Sequence, residues 1–204
     1  MKLLKIVVLL LAFVSCTVED DYTPYQIEQV FSEDIDVVLK VDIIYVLPSS
    51  QRSSVMQYDL NEVEFIKFLN GSFFHRYGVE LQKGDVRTII NDELYDLKDN
   101  RGQECSVFLQ QTQDSYHHNR VSIYIIKRSN TIGIAGIGKD QRALVTDDFL
   151  YTSTTPHEIG HSLGLLHYPV EGNIMSEIRP YLRKEFTSEQ VGRLKNKITL
   201  LEDE

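Results

Sequence analysis

The sequence predicts an α+β domain, and three stretches carry that prediction. Residues 37–47 alternate, with Val37, Leu39, Val41, Ile43, Tyr45 and Leu47 on one side and Val38, Lys40, Asp42, Ile44 and Val46 on the other, which is the period of a strand. Residues 61–77 have helical spacing instead, with Val63, Ile66, Phe73 and Tyr77 as the apolar set. Residues 157–167 read His-Glu-Ile-Gly-His-Ser-Leu-Gly-Leu-Leu-His, with His157 and His161 one helical turn apart before Gly164 interrupts the pattern. At 204 residues the chain can bury one real core but is short for two.

The chain opens with Lys2 and Lys5, followed by an apolar run from Ile6 to Val14. That run is too short to span a bilayer and reads as a secretory signal covering residues 1–15. Residues 16–34 are expected to be a polar tether. After the first strand, Pro48 and the serines beyond it end the element. Asn61 and Glu64 form a capping box for the first helix, and Gly78 stops it. Residues 79–90 suggest a second strand, clearest from Val86 to Ile90. Residues 91–120 are polar, with Cys105–Leu109 a short strand or helix. Val121–Ile126 is a strand presenting Val121, Ile123 and Ile125 to one face. Residues 132–137 are apolar but broken by Gly133 and Gly136, which mark a bend or a close backbone approach. Ser153, Thr154 or Thr155 can cap the next helix, with Pro156 in its first turn. Ile159, Leu163 and Leu166 would pack that helix on the sheet. Thr187 and Gln190 form another capping box, and Val191, Leu194, Ile198 and Leu201 give a final helix its apolar stripe.

Composition is that of a globular protein, 42% hydrophobic and 25% charged, with a net charge of −9. Losing Lys2 and Lys5 with a cleaved leader would make it more acidic still. No basic stripe is present, which disfavours nucleic acid and anionic lipid surfaces as partners. The two cysteines give no disulfide framework, and Cys105 is expected to be a small buried residue.

The chemistry concentrates in 157–167. Two imidazoles on one helical face can share a metal ion, and Glu158 stands beside the first without being a ligand itself. Gly164 can adopt the left-handed conformation that ends a helix, so His167 can return as a third nitrogen. Three neutral His ligands leave one position open on Zn²⁺, the mark of a catalytic site. His75, His117 and His118 lack a partner at ligand spacing and read as structural or loop residues. The adjacent acids Asp147 and Asp148 supply too few oxygens for calcium, which is not otherwise supported.

His157–His167 matches H-E-x-x-H-x-x-G-x-x-H, and in this the chain resembles the metzincin zinc peptidases. Asn173-Ile174-Met175-Ser176, which puts Met175 eight residues after His167, resembles their methionine turn, with Met175 beneath the metal. The resemblance implies a zincin-like α+β fold: a twisted mixed sheet, an active-site helix, a backing helix and a small C-terminal subdomain ending in a helix. It implies one catalytic Zn²⁺ held by His157, His161 and His167, and Glu158 as general base toward zinc-activated water. It also implies an edge strand at Gly133, Ile134, Ala135 and Gly136 that pairs with the substrate backbone. Residues 174–182, including Arg179, Pro180 and Tyr181, would line the pocket for the side chain after the scissile bond.

The expected catalytic domain runs 35–204, divided at 167/168 into upper and lower parts. Among metzincins the nearest look is a small matrixin-like bacterial enzyme. Tyr168 matches no member's residue after the third His, and Glu177 stands where an astacin-like tyrosine would.

Phe13-Val14-Ser15-Cys16 resembles a bacterial lipoprotein box, with Cys16 as the lipidated residue. An exported, membrane-anchored lipoprotein of the outer membrane, periplasmic or surface-exposed, monomeric and acting on proteins or peptides, is therefore expected. Two other readings compete. One is a gluzincin-type site with Glu177 or Glu185 as third ligand. The other is a non-catalytic lipoprotein that uses a zinc-binding fold for adhesion or partner binding.

Overall fold

The longest central strand, β1 (Val37–Leu47), sets the architecture, because it is paired on both sides. This computed structural model describes residues 27–51, 58–97, 102–129, 133–136 and 140–202. The leader, Cys16 and most of the tether lie outside the described residues. The remaining elements are α1 (Glu62–Leu69), β2 (Val79–Ile90), α2 (Asp92–Tyr95), β3 (Asp96–Leu97), α3 (Glu104–Gln111), β4 (Val121–Ile126), β5 (Arg128–Ser129), β6 (Gly133–Ala135), β7 (Arg142–Thr146), α4 (Thr154–Ser162) and α5 (Ser188–Glu202). The main sheet runs β2-β1-β4-β7-β6, parallel throughout except for β6, which pairs antiparallel with β7 at the edge. β3 and β5 make a separate two-stranded piece. This is the α+β, zincin-like arrangement that the sequence led us to expect. Among the described residues no helix is long and apolar enough to cross a membrane.

Both faces of the sheet are covered. Leu39, Val41, Ile43, Tyr45 and Leu47 meet Phe65 and Leu69 of α1, Ile159 of α4 and Leu194 and Ile198 of α5. On the other face Ile44, Val46, Tyr124 and Leu144 meet Leu94 of α2, Leu97 of β3 and Phe108 of α3. A strand buried on both faces needs apolar residues at every position. That explains why all six residues of β4 are buried, where the sequence suggested only alternate ones. Each buried aliphatic contributes about 1.5–3 kcal/mol. Asp42 is the charged exception on β1, fully buried. The Asp85 amide donates to it at 2.9 Å, and Arg120 and Arg87 stand 3.4 and 3.7 Å away.

α1 starts as expected, with Asn61 Oδ1 accepting from the amides of Val63 and Glu64. Its helical course continues through a wider turn at Asn70–Phe74 and a tighter one at His75–Tyr77 before Gly78 ends it at φ 69°. Asn70 ties the wide turn to β2 by exchanging two hydrogen bonds with the Leu81 backbone.

Several expectations need correction. The segment around Cys105 resolves as α3, but the thiol is exposed, not buried. Strand β7 was not anticipated: Arg142 opens it and only Ala143-Leu144-Val145 are apolar, too short a run to stand out. Leu166 is 63% exposed, and Leu165, 2% exposed, takes its place in the core. The helix has ended by then, so helical spacing no longer tells which side chain points inward. Asp147 pairs with Lys127, and His117 and His118 lie outside helices and strands as expected.

Candidate active site

α4 begins without help from the side chains the sequence suggested. Ser153 Oγ donates to the Pro180 carbonyl and Thr155 Oγ1 to the Leu150 carbonyl. The hydroxyl of Thr152 accepts from the Thr154 amide at 3.1 Å instead. Every residue of α4 is buried, so His157 and His161 face inward one turn apart. The helix ends on Gly164 at φ 95°. The Leu165 amide bonds back to the Gly160 carbonyl and the Gly164 amide to that of His161, the paired bonds of a Schellman motif. This turn brings His167 back to the other two histidines.

The three imidazoles converge. Ring centroids are 4.5 Å apart for His157–His161, 4.6 Å for His161–His167 and 5.3 Å for His157–His167. One nitrogen from each lies within 4.8 Å of the others, and the two helical Nε2 atoms are 3.1 Å apart. Each Nδ1 is already engaged: His157 with the Ile174 carbonyl at 2.8 Å, His161 with the Leu165 carbonyl at 2.7 Å, and His167 with Glu177 Oε2 at 3.2 Å. Those acceptors favour a proton on Nδ1 and leave Nε2 with its lone pair. Burial, helped by the nearby Arg183 charge, holds His157 down to about 3, and burial also lowers His161. Both are therefore neutral near pH 7. Three converging ring nitrogens fit a zinc ion. Glu177, one of the alternative third ligands, instead orients His167.

Met175 is fully buried beneath α4. A Cβ added at Gly160 would lie 2.5 Å from its Sδ. Asn173 Oδ1 accepts from the Met175 amide, and Asn173 and Gln190 exchange two side-chain hydrogen bonds. Gln190 also completes the expected capping box with Thr187. The start of α5 thus holds the turn that carries Met175. Gly160→Ala is expected to lower stability by about 1–3 kcal/mol through overpacking, measured by denaturant unfolding.

Glu158 is 6% exposed, and burial pushes its carboxyl up to about 8 against the opposing pull of Arg183. The edge strand passes directly over it: a Cβ at Gly133 would meet Glu158 Oε1 at 2.5 Å and Cγ at 2.7 Å. Ile134 and Ala135 continue the strand and are buried, and Gly136, also buried, follows its end. Gly133→Ala is expected to change stability little, because a side chain rather than backbone must give way. It should cost roughly 10²-fold in turnover by misplacing the carboxylate, as steady-state kinetics would show.

Arg179 and Tyr181 sit on an exposed loop, Arg179 in an ion pair with Glu171. A cavity of about 230 Å³ adjoins His167, walled by Leu165, Tyr168, Gln190 and Arg193 among others, and neither Arg179 nor Tyr181 borders it. The residue the sequence did not reveal is Arg183. It is 5% exposed; its Nε donates to the Ser176 carbonyl at 2.6 Å and Nη2 lies 3.5 Å from His157 Nε2. Nothing in the local pattern separates it from its exposed neighbour Lys184.

The model of one protein family, peptidase M66, matches residues 46–188. The chain belongs to the peptidase M66 family. The chain is a zinc-dependent peptidase, and its histidine triad supplies a fitting metal site. No curated protein matches the M66 chain in sequence. Archaemetzincin from Methanopyrus kandleri superposes with a TM-score of 0.51 at 18% identity, over 79% of this chain and 96% of that one. Metalloproteinase-II from Bacteroides fragilis gives 0.53 at 14% identity, over 87% of this chain and 57% of that one. At such identities the likeness speaks for the fold.

Proposed function

We propose that this M66 peptidase is a zinc-dependent endopeptidase of metzincin type, with Glu158 as its general base. The observation that carries the reading is the convergence of one ring nitrogen from each of His157, His161 and His167 beside a buried carboxylate. His157, His161 and His167 would hold a single Zn²⁺, which when bound supplies Lewis acidity toward a carbonyl and acidifies water. Glu158 accepts the proton of the attacking water and returns it to the departing amine. Among the described residues no strand pairs with the outer side of β6, which offers backbone groups to an extended substrate segment by strand addition. Met175 forms the floor under the histidines, as a methionine turn would. Arg179 and Tyr181 border the path of the chain beyond the scissile bond.

The exported, Cys16-lipidated outer-membrane form completes the proposal and rests on residues 1–16 of the sequence; the protein is proposed to act as a monomer. A peptide-library digest with zinc analysis, run with and without chelator, tests the catalytic part. Internal cleavage that tracks zinc content supports it. Stoichiometric zinc with no cleavage of any library member would turn the reading toward a binding role.

A further inference from the structure

Arg183 is a buried cation at a site built for a dication. Its Nε is fastened to the Ser176 carbonyl, which fixes the plane of the guanidinium and aims Nη2 at the His157 nitrogen that carries the free lone pair. Among the described residues no carboxylate lies within ion-pair distance of it. Burial of this arginine is costly and is offset only through space by the Glu158 and Glu177 charges, and here it also opposes the charge of a metal held by the same histidines. Such an arrangement is disfavoured at rest and becomes favourable once negative charge develops beside it.

We propose that Arg183 is a catalytic residue that donates a hydrogen bond from Nη to the oxyanion formed on the scissile carbonyl. This rests on the peptidase reading above. In the step concerned, the water oxygen bonds to the carbonyl carbon and the C=O π pair moves onto oxygen. The water's proton goes to Glu158. Collapse then re-forms the C=O bond and breaks C–N, and the amine takes the proton from Glu158. Arg183 keeps its own proton throughout. The planar fork of the guanidinium, already anchored through Nε, meets the new charge without rearranging.

The test uses zinc-loaded full-length protein, wild type, Arg183→Met and Arg183→Lys. Zinc per chain, thermal midpoint, kcat and KM on a peptide that wild type cleaves, and calorimetric affinity for a phosphinic peptide are measured. The phosphinic group presents a tetrahedral anion like the one Arg183 would meet. Arg183→Met is expected to keep zinc, to hold KM within about threefold and to lower kcat about 10²–10³-fold. Affinity for the phosphinic peptide should fall in parallel, and Lys should restore part of both. Unchanged kcat overturns the proposal. So does activity regained with excess zinc, which would make Arg183 a metal-retaining residue. A KM effect confined to substrates with an acidic side chain or free carboxylate after the scissile bond also overturns it. Should Arg183→Met fail to fold, Arg183→Lys decides: a joint loss of kcat and phosphinic affinity supports the role, and retention of both removes it. If wild type cleaves no peptide, the peptidase reading fails by itself. The phosphinic affinities of the variants at equal zinc content still decide whether Arg183 faces an anion.

Discussion

Glu158→Gln should leave zinc binding intact and lower kcat/KM by about 10²–10⁴-fold, the usual worth of a positioned proton acceptor. Gln keeps the shape and the contact under Gly133 but cannot take a proton. The carboxylate stands outside the group of three converging nitrogens, so metal content should be insensitive to its loss. The same variant should also change the pH dependence of stability in metal-free protein. The folded carboxyl is held up near 8 against an unperturbed 4.5, so between those values the folded state binds more protons than the unfolded one. Stability contributed at this position is therefore complete below about 4.5 and declines as pH rises to about 8. Glu158→Gln should be the more stable form above that window and should converge with wild type below it. Urea unfolding of metal-free protein at pH 4.5 and pH 8.5 measures the difference. Full activity of the variant on a cleaved peptide would refute the assigned role.

His167→Ala is the second large effect. This ring is half-exposed and lies outside the helix, so its removal should leave the fold intact. It takes away one of three nitrogens, and zinc affinity should drop by more than the ~10–100-fold typical of losing an outer partner. Glu177→Ala, which removes only the acceptor on His167 Nδ1, should stay within that smaller range. Competitive chelator titration separates the two. Thermal melting gives a second readout. Ligand at 100 times its dissociation constant stabilises by about 2.7 kcal/mol, so zinc should raise the wild-type midpoint and leave His167→Ala nearly unmoved. Zinc affinity retained in His167→Ala would restore Glu177 or Glu185 as third ligand.

Much of the fold was legible where periodicity is strong. β1 emerged at its expected boundaries, β4 likewise, and α1 and α5 with their caps. β7 was not legible, because its burial comes from lying between β4 and β6, and five residues around a buried Arg142 carry little pattern. Leu166 was assigned inward by extending helical spacing past Gly164, where the chain had already turned. The habits of its residue type place Cys105 in the core, yet α3 turns it outward.

The site divides along the same line. His157, Glu158, His161, Gly164 and His167 lie within eleven residues, and a helical turn plus one left-handed glycine suffices to bring them together. Those constraints are local, so the sequence by itself determined the metal-binding set and the candidate base. Gly133 over Glu158, Met175 against Gly160, Gln190 holding Asn173 and Arg183 beside His157 are contacts between segments separated by 15 to 26 residues. Local spacing does not encode them. They exist because the sheet sets its edge strand over α4 and α5 presses the turn below it. Tertiary structure alone therefore decided how the carboxylate is buried, how the His157 imidazole is oriented, and that a second cation faces the same centre.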